Sequence, residues 1–201
     1  MAFSLRKLLI IDIEATCWEN NISPKNETSE IIEVGISLID LMKNIILSKE
    51  SLLIKPVNSK ISEYCTKLTT LTQQDVDKGI SFSEACDILK NKYFSNKIPW
   101  GSWGDYDREI FYKQCNIMKV PYPFSKTHIN IKNLYSILNN LPIGLSLKKA
   151  LMRENLKFDG TPHRGADDAY NIAKLFLILK NNFNKKEVRY EIRTSTKQSS
   201  C

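Results

Sequence analysis

Three stretches of this 201-residue chain set acidic side chains at spacings that could do chemistry. In Asp12-Ile13-Glu14 the two acids stand two apart, so on a strand both leave the same face. Like charges held that close destabilise one another unless a cation lies between them. Hard divalent ions such as Mg²⁺ seek oxygen clusters of this kind. A strand that simply ends at a solvated Asp12 would show the same tripeptide.

Asp105 and Asp107 frame the start of a predicted helix whose inner face is Ile110, Phe111, Cys115 and Met118. At 100° per residue Asp107 falls on that face and Asp105 well off it. Asp105 is then a plausible N-cap, and Asp107 is either an inward ligand or a group that favours the helix dipole. Asp167-Asp168 divide in the same way. The face Ala169, Ile172, Ala173 and Phe176 is centred about 90° from Asp168 and nearly opposite Asp167. Asp168 therefore flanks the core, and Asp167 is expected in solvent. His163 lies five positions before Asp168, in Pro162-His163-Arg164-Gly165. A lone loop histidine is usually a bystander, but this one shares a segment with an inward carboxylate. The second histidine, His128, stands before a predicted strand or helix.

The elements that must hold these groups are readable in outline. Leu8–Ile11 is a short apolar, branched run typical of a buried strand, ending in charge at Asp12. Ile31–Leu41 and Ile45–Ile54 predict two more strands joined by a turn at Met42–Asn44, and the polar stretch Trp18–Glu30 predicts a loop. A short helix is expected over Thr66–Gln74 and a longer one over Ser81–Phe94, where Ser81 and Glu84 match a capping box. Ile98–Trp103 predicts a fourth strand, followed by helices at Asp107–Cys115, Ile131–Asn139, Ser146–Glu154 and Gly165–Asn182. Small Gly165 and Ala169 would let the last helix approach the sheet closely. The pattern is α/β, with one sheet and one domain over 1–183, and a flexible basic tail over 184–201.

Composition narrows the partners. With 42% hydrophobic residues and 25% charged, the chain is globular and can bury one core. Lys plus Arg exceed Asp plus Glu by 29 to 22, and a net +7 favours polyanions, although many basic proteins never bind one. Five cysteines form no CxxC pair, and the apolar run at Leu8–Ile13 is far short of a membrane span. With no secretory signal read at the N-terminus, a cytoplasmic protein with no membrane partner is expected.

Taken together, Asp12-Ile13-Glu14-Ala15-Thr16-Cys17, Gly104-Asp105-Tyr106-Asp107 and His163-Arg164-Gly165-Ala166-Asp167-Asp168-Ala169 resemble the three motifs of the DEDDh 3′–5′ exonuclease superfamily. Glu63–Thr69, Leu71–Val76 and Gly144–Leu147 further resemble the ERI-1-like exoribonucleases, the group of the histone-mRNA exonuclease and KapD-like proteins. The resemblance spans roughly residues 6–182. It implies a ribonuclease H-like fold, a five-stranded mixed sheet flanked by helices on both sides.

It also implies roles. Asp12, Glu14, Asp107 and Asp168 would be the metal carboxylates, holding two Mg²⁺ ions, with Mn²⁺ equally suited to oxygen ligands. His163 would take the proton of the attacking water. Ala15 and Thr16 would bring backbone to the terminal nucleotide, Leu71 would wedge or stack near it, and Trp18 would stack on a base or pack the loop. The expected activity is hydrolysis at the 3′ ends of single-stranded nucleic acid, RNA rather than DNA, releasing nucleoside 5′-monophosphates. The alternatives are a DNA-directed or proofreading-type exonuclease, and a catalytically silent nucleic-acid-binding module on the same fold.

Overall fold

The computed structural model describes residues 6–185, with side chains through 183. Five strands form one mixed sheet: β1 (Lys7–Ala15), β2 (Ile31–Asp40), β3 (Ile45–Leu53), β4 (Trp100–Ser102) and β5 (His128–Asn130), in the order β3-β2-β1-β4-β5. β1, β2 and β3 form an antiparallel meander, and β4 and β5 add in parallel to β1. The helices are α1 (Glu63–Thr69), α2 (Gln73–Asp77), α3 (Phe82–Tyr93), α4 (Tyr106–Met118), α5 (Ile131–Leu138), α6 (Leu147–Arg153) and α7 (Gly165–Lys185).

Alternation along β1 divides the core into two layers. Leu9, Ile11 and Ile13 point to one face, where they meet Phe82 and Leu89 of α3 and Phe111 of α4. Leu8 and Ile10 point to the other, against Ile131 and Tyr135 of α5, Leu151 of α6 and Ala169, Ile172 and Ala173 of α7. Burying a side chain of this size contributes roughly 1.5–3 kcal/mol, so the central strand is fixed from both sides. This is the ribonuclease H-like arrangement, with helices on both faces.

The two acids do stand near the end of the buried central strand: Asp12, Ile13 and Glu14 continue the ladder with Gly35, Val34 and Glu33. The acids end the apolar run and not the strand, because their side chains leave the pleat while the backbone goes on pairing. The single helix expected over Thr66–Gln74 is two. Thr70 closes α1 in the left-handed region (φ 65°), and Thr72 opens α2 with a capping box to Asp75. β5 went unread because three residues with a single apolar side chain carry no periodicity. The basic tail expected over 184–201 lies outside the described residues, save that the backbone of α7 runs on to Lys185.

Candidate active site

The even-numbered positions of β1 set the site. Leu8 and Ile10 face α7, so Asp12 and Glu14, two and four residues on, leave the same face. There α7 comes down on the sheet at its first turn. Gly35, the partner of Asp12 on β2, lies so close to Gly165 that a Cβ on it would stand 1.8 Å from the Gly165 carbonyl carbon. Only hydrogen at both positions permits that approach, and it delivers Asp168, one turn into α7, to the two acids. One ligand atom from each of Asp12, Glu14 and Asp168 lies within 4.8 Å of the others.

Asp107 enters from the sheet's other helix layer. It is 5% exposed in the first turn of α4, and its Oδ1 accepts the amide of Ile13 at 3.0 Å. It lines the same cleft, but it stands outside the group of three. Asp105 occupies the N-cap position without a side-chain cap. Its carboxylate instead accepts from Asn130 Nδ2 and pairs with Arg108. Asp167, expected in solvent, is only partly exposed. It pairs with Lys49 and accepts the Thr161 amide, since the loop before α7 folds back over it.

His163 is exposed in the turn before α7, with a left-handed backbone at φ 61°. The Asp168 amide donates to the Arg164 carbonyl at 2.9 Å, and the amides of His163 and Arg164 lie near the Asp168 carboxylate, so histidine and acid are parts of one turn. Asp12, Glu14, Asp107, Asp168 and His163 all line one open cleft of about 390 Å³.

The electrostatics of the cluster are unresolved within the protein. Burial drives the Asp12 carboxyl well above its ordinary value, and Asp107, Asp168, Glu14 and Glu33 add repulsion. Burial likewise pushes Glu14 up to about 9, with Asp168, Glu33 and Asp107 adding to it and Arg164 opposing. Asp168 is raised to about 7 by burial, against the pull of the nearby His163 and Arg164 amides. Asp107 rises only to about 6, because backbone bonds offset its burial. Asp168 Oδ2 is also buried with no hydrogen-bond partner among the described residues. An acceptor closed off from water and given no donor, beside two repelling carboxylates, fits a cation ligand.

The substrate-contact expectations fare differently. Leu71 is 2% exposed and packs with Ile32, Cys65 and Val76, which leaves its side chain no face toward the cleft. Ala15 and Thr16 are buried at 8% and 0%. The Thr16 amide donates to Glu30, its carbonyl accepts from Ser29, and its hydroxyl bonds Ser59, so the protein already uses its polar groups. Trp18 is half-buried ahead of a single 3-10 turn, Glu19–Asn21, outside the cleft lining. Residues not foreseen wall the cleft instead: Cys17, Leu68, Trp103, Tyr106, Lys132 and Leu147. Leu68 stands one helical turn before Leu71, and the break at Thr70 decides which of the two faces out.

A model of the exonuclease family matches residues 9–176. The chain belongs to that family. One curated relative, 3′–5′ exoribonuclease 1 of Rattus norvegicus, is 35% identical over 182 residues, covering 84% of this chain and 51% of the relative. The 3′–5′ exonuclease eri1 of Schizosaccharomyces pombe is 30% identical over 202 residues, covering 85% of this chain and 67% of the relative. Among solved structures, the nuclease domain of a DEDDh family member bound to rAMP superposes with a TM-score of 0.80 at 28% identity, covering 96% of this chain and all of that one. The chain spans about half the length of the mammalian exonuclease it matches. Among the described residues no helix is long and apolar enough to cross a membrane.

Proposed function

We propose that this exonuclease-family chain is a metal-dependent 3′–5′ exonuclease that acts on the 3′ ends of single-stranded nucleic acid, RNA in preference to DNA, and releases nucleoside 5′-monophosphates. The observation that carries the reading is the three-acid cluster with its unpartnered Asp168 Oδ2, set in one cleft with His163. The rat relative is named an exoribonuclease, and rAMP is the ligand of the solved neighbour, which favours RNA.

Asp12, Glu14 and Asp168 would hold divalent ions, Mg²⁺ by preference, with Asp107 supporting them from α4. When bound, the ions would supply the positive charge that offsets the acids and the phosphodiester and favours ionisation of the attacking water. His163, exposed at the cleft, takes the proton of that water at its imidazole. Asp107, tied to the Ile13 amide, fixes the end of β1 against α4 and keeps the acids in register. Leu68, Trp103 and Tyr106 form apolar and aromatic walls suited to stacking on a terminal base, a contact that reads no sequence. Cytoplasmic action belongs to the same reading, supported by the free thiols of Cys17, Cys65, Cys86 and Cys115.

The test is a purified protein with Mg²⁺ and matched 5′-labelled single-stranded RNA and DNA, beside Asp12→Ala. A ladder that shortens from the 3′ end, faster on RNA and absent in the variant, is expected. No shortening of either strand, with Mn²⁺ also tried, would overturn the proposal, and faster shortening of DNA would overturn the substrate.

A further inference from the structure

Glu33 carries no role in the site as described, yet it is the most completely enclosed acid near it. It lies on β2, paired in register with Glu14, and its side chain is wholly buried. Its Oε2 accepts from Arg164 Nε at 3.2 Å and from the Gly165 amide at 3.0 Å, while Oε1 accepts from Arg164 Nη2 at 3.4 Å and from the Ser51 hydroxyl. Burying a carboxylate is expensive unless it is paired and hydrogen-bonded. Here both conditions are met by the two residues that follow His163.

The turn that carries His163 is therefore gripped at two points. On one side the amides of Asp167 and Asp168 donate to the Arg164 carbonyl, and the amides of His163 and Arg164 lie close enough to the Asp168 carboxylate to favour its charge. On the other, Glu33 takes the Arg164 guanidinium and the Gly165 amide. Between them His163 sits at φ 61°, a backbone conformation that costs a β-carbon residue about 1–2 kcal/mol and persists only where its surroundings enforce it. The imidazole is exposed, so no packing holds the side chain itself in place. Its location is set by the backbone of the turn, and the sheet's grip on that backbone is Glu33.

We propose that Glu33, through its bonds to Arg164 and Gly165, is the positioning residue for His163. Its main effect is on the proton-transfer step, beyond the repulsion it adds to Asp12 and Glu14. The inference rests on the nuclease reading above for its kinetic consequence, but the grip itself can be measured without turnover.

Glu33→Gln keeps the shape and removes the charge. Its kcat should fall about 10- to 100-fold with KM nearly unchanged, the scale of losing a group that orients a reacting side chain. Calorimetric affinity for Mn²⁺ should change by much less than kcat, the Glu33 charge reaching Asp12 and Glu14 only as one repulsion among several. In a His163→Ala background, the same Glu33→Gln change should cost less than about twofold, because residues that act as a unit are not additive. A merely structural role would cost the same in both backgrounds. Equal losses, or a loss of Mn²⁺ affinity that accounts for the fall in kcat, would overturn the proposal. If Glu33→Gln does not fold, Arg164→Met breaks the same pair from its half-exposed side and carries the same expectations. Hydrogen exchange separates this from failure of the nuclease reading. The amides at residues 163–165 should exchange at least about tenfold faster in Glu33→Gln, while those of Ile10 and Ile11 keep their protection. Unchanged exchange at 163–165 would sink the idea even in a protein that cleaves nothing.

Discussion

Two buried acid sites lie at opposite ends of one loop, and they treat their charge in opposite ways. Glu30, 5% exposed, is ringed by donors: the amides of Val57, Asn58 and Ser59 and the Ser59 hydroxyl all reach its carboxylate. It fastens the loop after β3 to the start of β2. Asp12, Glu14 and Asp168, buried or half-buried at the floor of the cleft, instead face one another, and Asp168 Oδ2 is buried with no hydrogen-bond partner among the described residues. Burial of charge therefore does not mark a functional site. Burial that the protein leaves uncompensated does, because only an outside cation can complete it.

The largest effects should come from the uncompensated side. Asp12→Asn keeps the shape of the side chain and removes a ligand charge, so nuclease turnover should fall by more than about 10³-fold. The chelated protein should at the same time melt higher, since one repelling charge is gone. A variant that cleaved at the wild-type rate would mean that Asp12 is no more functional than Glu30. His163→Ala comes next. Loss of a general base costs about 10²- to 10⁴-fold, and because the imidazole stands outside the acid group, Mn²⁺ affinity should be retained. Loss of Mn²⁺ binding would move His163 into the ligand set.

How much of this could be read in the chain follows from the range of each cause. Alternation along β1 put Asp12 and Glu14 on one face, and helical phase turned Asp107 inward, where it is 5% exposed. The same phase read Asp167 less well, because Lys49 and the Thr161 amide cover it from outside its own helix. Leu71 shows the limit of a motif. It matched a family segment, but one left-handed residue, Thr70, turned it into the core and gave the cleft to Leu68. Glu33 and Arg164 are 131 residues apart, and neither stands in a pattern that names the other. Their meeting depends on Gly35 and Gly165, whose closeness is a tertiary fact.

On the compensated side, Glu30→Gln should behave in the opposite way to Asp12→Asn. Its amide would turn a donor toward backbone donors, which costs about 2 kcal/mol, hence roughly 4–8 °C in melting temperature. Activity per folded molecule should stay within a few-fold. Stability unchanged by this substitution would show that the four bonds contribute little and that the two acids differ less than their partners indicate.

The smallest effect is the most direct reading of the difference, the dependence of stability on pH with and without metal. The ordinary glutamate value is 4.5, and Glu14 is raised to about 9; Asp168 moves from 3.8 to about 7 and Asp107 from 3.8 to about 6. A folded value above the unfolded one gives stability that is complete below the unfolded value and is lost as pH rises through the folded value. In chelator the melting temperature should therefore decline from about pH 4 to about pH 9, steepest at about pH 5, where the unfolded acids are ionised and the folded ones still hold their protons, and flatter as Asp107 and then Asp168 ionise. Mn²⁺ should flatten the decline, since it binds the ionised acids and adds more stability the higher the pH. A melting temperature that is flat across this range in chelator would mean that the protein neutralises these acids by itself, as it does Glu30, and the reason for assigning them a cation would be gone.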